Sequence, residues 1–274
     1  MGFDPIWLLF PPLGLLAGVL AGLLGIGGGI VLVAALVALL PLSGVPTAAV
    51  MHVALATSLA SIVVTAAASA NAHRKRGSLL WPTVGWLAPA LVVGGIAGSR
   101  WALGVTGSTL AMLVGAFCLL MALRMAWPAA ATPTPPSAGA DAVPRGPWLL
   151  PAGLLIGALS AVVGIGGGSL TVPLLVSRGV AMVRAVGTSS ACGVLIALAS
   201  AATYALATTG SQSGLALPPG VVGFVHVPAA LGIAAGAWVA APWGVALAHR
   251  LSGRSLTRVF AVVLALVGLG LLWP

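Results

Sequence analysis

Apolar positions in this chain come in long stretches, and charged positions gather at the ends of these stretches and in the intervals between them. Most stretches approach the roughly 20 residues that a helix needs to cross a bilayer. The first half reads as a broken element over 5–40, interrupted at Gly25–Gly29, followed by spans at 47–72, 79–99 and 108–127. The second half repeats that order: a broken element over 148–177, interrupted at Gly164–Gly168, then spans at 183–209, 220–248 and 255–273. Between them, Pro128, Pro133, Pro135, Pro136, Pro144 and Pro147 stand among Ala, Thr, Ser and Gly, the composition of an extended or disordered linker. The expected organisation is a first transmembrane repeat over 1–127, a linker over 128–147 and a second repeat over 148–274.

The two halves also match residue by residue. Pro12, Gly14, Leu15, Leu16, Gly18 and Gly25-Ile26-Gly27-Gly28-Gly29 recur 139 positions later as Pro151, Gly153, Leu154, Leu155, Gly157 and Gly164-Ile165-Gly166-Gly167-Gly168. A second echo follows each copy, Ala56-Thr57-Ser58 and Gly187-Thr188-Ser189. Duplicated, glycine-broken hydrophobic segments in matching places are a pointer to a transporter's substrate site.

Composition excludes the soluble classes. The chain is 60% hydrophobic and 5% charged, where a soluble domain carries about 25% charged residues. The N-terminus lacks the basic start of a cleavable signal peptide, carries Asp4 and runs straight into the first repeat, so no such peptide is expected. The net charge of +9 comes from 11 Lys and Arg against Asp4 and Asp141. These cations sit at the ends of apolar spans, where they act as topology signals, and no nucleic-acid partner is expected. Cys118 and Cys192 lie in separate spans and form neither a metal spacing nor a disulfide framework.

Charge also orients the spans. The cluster His73-Arg74-Lys75-Arg76 marks a cytoplasmic loop. Counting crossings from there puts the linker, with Arg124 and Arg145, in the cytoplasm. Arg178 and Arg184 join it only if the second broken element re-enters or crosses an even number of times. The uncharged loop 210–219 then lies outside, His249, Arg250, Arg254 and Arg258 lie inside, and Arg100 alone is misplaced. The expected fold is an all-α integral membrane protein of two inverted repeats, each a glycine-broken element plus three transmembrane helices. Both termini are expected outside the cytoplasm and the protein in a bacterial inner membrane.

Four glycines in five residues make a poor helix interior, each costing about 1 kcal/mol relative to Ala. In lipid, an unwound backbone must be buried in protein or line a wet cavity. A helix starting after Gly29 or Gly168 would aim free N–H groups and a positive dipole end inward, which suits an anion. Close helix packing of small residues is the competing explanation. No Lys-Ser/Thr follows for a P-loop, and Ile30 and Ser169 stand where a dinucleotide fingerprint needs its third glycine. The candidate substrate-binding residues are therefore Gly25, Gly27, Gly28, Gly29, Gly164, Gly166, Gly167 and Gly168, with the hydroxyls of Thr57, Ser58, Thr188 and Ser189. Those hydroxyls could equally bond the preceding helical carbonyls. His52 and His226 are candidates for proton or anion coupling, or for structural hydrogen bonding.

The Gly-Ile-Gly-Gly-Gly repeat, Leu170-Thr171-Val172-Pro173, Ala185-Val186-Gly187-Thr188-Ser189 and Arg258-Val259-Phe260-Ala261 together resemble the TauE/SafE sulfite exporter family, also called the toluene sulfonate uptake permease family. The resemblance covers almost the whole chain. It implies transport of sulfur-containing anions such as sulfite, thiosulfate, sulfoacetate and other organosulfonates, in either direction. Ala34 stands in the first half where the second has Pro173, so the halves need not contribute equally.

An anion also fits the charge inventory: no Asp or Glu lies in any span, where a cation carrier or proton relay usually needs one. The expectation is a secondary transporter, with export as the expected direction, moving a small sulfur oxyanion or organosulfonate by alternating access. No cofactor and no metal are expected; the partners are the substrate and the lipid bilayer, with a homo-oligomer left open. A small-anion channel fits the same sequence. An intramembrane serine enzyme using Ser189 and His226 lacks a Gly-x-Ser-x-Gly turn.

Overall fold

Ten helices carry the fold in the computed structural model, which describes residues 5–24, 28–126, 143–207, 217–248 and 253–272. After a 3-10 turn at Pro5–Leu9 come α1 (Phe10–Leu24), α2 (Gly29–Leu39), α3 (Thr47–Lys75), α4 (Trp81–Leu103) and α5 (Gly107–Ala126). The second half supplies α6 (Leu149–Val163), α7 (Gly168–Val176), α8 (Met182–Ala205), α9 (Val227–Ala248) and α10 (Gly253–Leu272). Five of these, α3, α4, α5, α8 and α9, are long and apolar enough to cross a membrane.

The helices on either side of each glycine break are too short to span. At 1.5 Å per residue, α2 and α7 reach only about 16 and 13 Å, roughly half a bilayer core. The chain folds back at the breaks. Gly28 lies against Ala17 of α1, and Gly167 lies against Ser160 and Ile156 of α6. The outer ends of the second pair meet as well: the Arg178 guanidinium, just beyond α7, sits 3.9 Å above the Trp148 ring, just before α6.

Packing repeats the duplication. α1 lies along α9, α6 lies along α4, α5 pairs with α10, and α3 pairs with α8. Exchanging the halves turns each contact into its counterpart, so each half is completed by the other. The α1–α9 and α4–α6 contacts are close because small residues face each other. Gly14, Gly18 and Gly22 meet backbone at Ile233, Ala237 and Ala241, and Gly94 and Gly98 meet backbone at Leu154 and Ala158. Without a hydrophobic driving force between helices in lipid, such approach supplies much of the association energy.

The central pair α3 and α8 runs antiparallel. His73 near the end of α3 touches Gly187 near the start of α8. Ser69 Oγ and Ser190 Oγ are 3.0 Å apart. Ala66 then faces Gly193. These contacts gather cations at one end of the bundle. The Arg76 guanidinium donates to the Val245 carbonyl near the end of α9 (3.3 Å). The Trp148 indole N–H donates to the Arg145 carbonyl (3.0 Å) and its ring carries the Arg178 guanidinium, and Arg184 lies in the first turn of α8. Arg100, in the last turn of α4, is at the other end.

One element departs from an all-helical reading. The span expected at 220–248 begins with a two-stranded hairpin, Val221–Val222 paired with Val225–His226, and turns helical only at Val227. Gly220 (φ 95°) and Gly223 (φ 57°) allow the reversal. The Phe224 N–H then bonds the Tyr204 carbonyl (3.1 Å), closing the free end of α8.

Candidate functional site

The two breaks meet at the centre of the molecule. Gly28, φ 68°, is the residue before α2, and Gly167, φ 78°, is its counterpart before α7. Both occupy the left-handed region, where a Cβ costs roughly 1–2 kcal/mol. Gly164, which closes α6, also has positive φ (74°). A side chain on Gly29 would strike the Gly164 carbonyl and the Ile165 backbone, so one break packs directly on the other. The Gly166 carbonyl in turn approaches Gly193 of α8. Gly25 and Gly27 lie outside the described residues. Gly168 is the first residue of α7, and its N–H is one of those that a helix start leaves without an intrahelical acceptor.

Each Thr-Ser pair sits fully buried on the central helices. Ser58 Oγ lies 3.2 Å from the Gly29 carbonyl and 3.1 Å from the Gly164 carbonyl, so one hydroxyl joins the two breaks. Thr57 and Thr188 have matching jobs across the halves. Thr57 Oγ1 accepts the His226 N–H at the start of α9 (2.9 Å), and Thr188 Oγ1 accepts the Leu80 N–H at the start of α4 (3.0 Å). Thr188 also donates to the Arg184 carbonyl (2.7 Å). Each Thr thereby ties the fourth helix of one half to the third helix of the other. Ser189, on α8, is buried at the position matching Ser58.

The two histidines lie at helix ends. His52 Nε2 is 3.2 Å from the Ala102 carbonyl and 3.0 Å from the Val105 carbonyl, so it acts as a donor and pins the α4–α5 turn to α3. His226 Nδ1 accepts the Ala229 N–H (3.2 Å) and caps α9. Its ring stands edge-on to Phe10, 6.0 Å between centroids. Neither contact joins a histidine to the glycine breaks.

Three hydroxyls near the second break escaped the sequence reading. Ser160, Ser169 and Thr171 place buried oxygens with no hydrogen-bond partner among the described residues. Ser160 Oγ lies 3.5 Å from where a Gly167 Cβ would stand. Their signal was available: the matching positions of the first half hold Ala21, Ile30 and Leu32. Beside α7 a cavity of about 300 Å³ is lined by Met121, Arg124, Ser169, Leu170, Pro173, Leu174 and Ser177. Among the described residues no three His, Cys, Asp or Glu side chains come together to hold a metal.

In lipid, unwound backbone is tolerated only where it is buried in protein or lines a wet cavity; the two breaks, buried against each other, meet that condition as the broken helices of membrane transporters do. The chain matches the family model "Sulfite exporter TauE/SafE" over residues 10–271 and belongs to that family. It is also 34% identical, over 264 residues, to a "Probable membrane transporter protein" of Haemophilus influenzae, covering 94% of this chain and 95% of that one. No solved structure matches it.

Proposed function

We propose that this transporter is a secondary carrier of a small sulfur oxyanion or organosulfonate, built from two inverted repeats, 1–127 and 148–274, and working by alternating access. The observation that carries the reading is the junction of the two breaks, bridged by Ser58 between antiparallel central helices. Matching helices that run antiparallel are what an axis in the membrane plane generates. Support for an anion comes from the free N–H groups at the starts of α2 and α7 and from the chemistry named in the family's description. On this reading the substrate sits near mid-membrane between the halves, held by backbone N–H groups and hydroxyls, and the carrier exports it. The cation-rich end faces the cytoplasm, so both termini face out. Thr57 and Thr188 shape the site by holding α9 and α4 in place, and His52 and His226 act as helix-end supports.

The test is uptake into proteoliposomes of sulfite, thiosulfate and sulfoacetate against a cation panel, with counterflow to separate carrier from channel. Selective movement of a cation, or anion flux without counterflow, overturns the reading. Reporters fused after Pro274 and within 210–219 are expected to read extracytoplasmic; a cytoplasmic C-terminus removes the inverted arrangement.

A further inference from the structure

The cavity beside α7 runs the length of that helix. Ser177 follows its surface end and Ser169 is its second residue, next to the break. Eight residues of helix make the groove about 12 Å long. That is nearly half of a ~30 Å bilayer core, enough to lead from the membrane surface to its middle. Its walls are apolar at Met121, Leu170, Pro173 and Leu174, and its one charged wall residue is Arg124, in the last turn of α5.

Among the described residues no carboxylate stands to pair with Arg124. The whole chain holds 11 Lys and Arg against two acids, so most of its cations cannot be neutralised internally. At the deep end, Ser169 contributes a buried hydroxyl with no partner. Ser177 at the shallow end is already committed, donating to the Leu174 carbonyl (2.9 Å). The first half differs among the described residues. There Ile30 replaces Ser169 and is 1% exposed, and α10 packs against α2.

We propose that this groove is an oxyanion-binding passage, in which Arg124 captures a sulfonate-like group at the membrane surface and Ser169 meets it beside the glycine break. The inference rests on the anion-carrier reading and adds to it a side of entry and two residues. A guanidinium presents a fork of donors that matches two oxygens of such a group. The same chemistry would hold the phosphate headgroup of an anionic lipid, so the test has an arm for each source.

The probe is methanesulfonate, titrated against the purified full chain in phosphatidylcholine nanodiscs and followed by thermal shift. Arg124→Gln is expected to weaken binding tenfold or more, as losing a hydrogen-bonded charge does. Arg124→Lys should recover part of it, Ser169→Ala should weaken it severalfold, and Gly85→Ala, which lies in open space on α4 away from the groove, should leave it unchanged. Unliganded thermal stability of each variant reports folding. In the second arm, phosphatidylglycerol retained by wild type and lost in Arg124→Gln, with methanesulfonate affinity unchanged, assigns the groove to lipid and overturns the passage. Unchanged affinity in both Arg124→Gln and Ser169→Ala, with sulfite uptake intact, overturns the passage while the carrier stands. Failure of the wild type to bind or move any sulfur oxyanion overturns both.

Discussion

The first and second breaks end alike but differ in their surroundings. Each pairs a helix of 15 residues with a shorter one, and each starts the shorter helix after a left-handed glycine, Gly28 or Gly167. Around the first, Ala21, Ile30 and Leu32 are all but inaccessible and wholly apolar. Around the second, Ser160, Ser169 and Thr171 hold oxygens without partners, and Pro173 stands where the first half has Ala34. Leaving a buried hydroxyl unsatisfied costs about 1–3 kcal/mol. Each such oxygen calls for a partner, and a polar visitor or water beside the second break would supply it. Building two inward-facing helix starts needs glycine twice. Recognising a ligand needs polar groups only where that ligand rests.

The largest expected effect tests the shared part. Gly29→Val puts a branched side chain into the Gly164 backbone, and Gly164→Val meets Val33 and Leu55 within 3 Å at an unfavourable φ. Either should abolish uptake and lower thermal stability by several kcal/mol, as overpacking and backbone strain combine. Gly85 has open space around it, so Gly85→Ala is the matched control and should be neutral or stabilising. Normal uptake by both break variants would reduce the breaks to ornament.

Next come the paired threonines. Thr57→Val and Thr188→Val each strip an acceptor from a buried helix-start N–H, and each should lose about 1–3 kcal/mol of stability. The two losses should be similar, because the contacts are. If sulfite affinity falls more for Thr188→Val than for Thr57→Val at equal stability, the second half carries the ligand. Equal falls would erase the distinction between the halves.

The smallest effect is the sharpest discriminator. Ser160→Ala and Thr171→Val remove hydroxyls that bond to nothing in the protein, so unliganded stability should hold or rise by up to about 1 kcal/mol. Sulfite affinity should nonetheless drop, by about tenfold where the hydroxyl meets the charged ligand. Unchanged affinity in both would leave the asymmetry without a role.

Much of this molecule is readable along the chain. The repeat, the positions of the breaks and the eight apolar intervals follow from composition and the offset between copies, and each helix begins or ends within a few residues of its expected bound. Comparing Ala21 with Ser160 and Leu32 with Thr171 would have exposed the polar half as well. The hairpin before α9 was less legible, since Val221–His226 is as apolar as the helix after it. What turns it is a pair of positive-φ glycines anchored under the end of α8.

The sequence by itself determined that this is a duplicated membrane transporter, because long apolar runs, scarce charge and paired glycine breaks each have few other physical solutions. Tertiary structure alone decided which helices form the centre. α5 and α8 have the same mean hydropathy, 1.7, yet 28% of the apolar stretch of α5 is buried in the protein against 72% for α8. Lipid and protein interior are equally apolar, so hydropathy cannot tell them apart. Only packing reveals that Ser58 lies between two distant carbonyls, that Thr57 and Thr188 serve the opposite halves, and that Arg124 borders a cavity beside α7. Those roles depend on neighbours 29 to 169 residues away, and no local pattern records them.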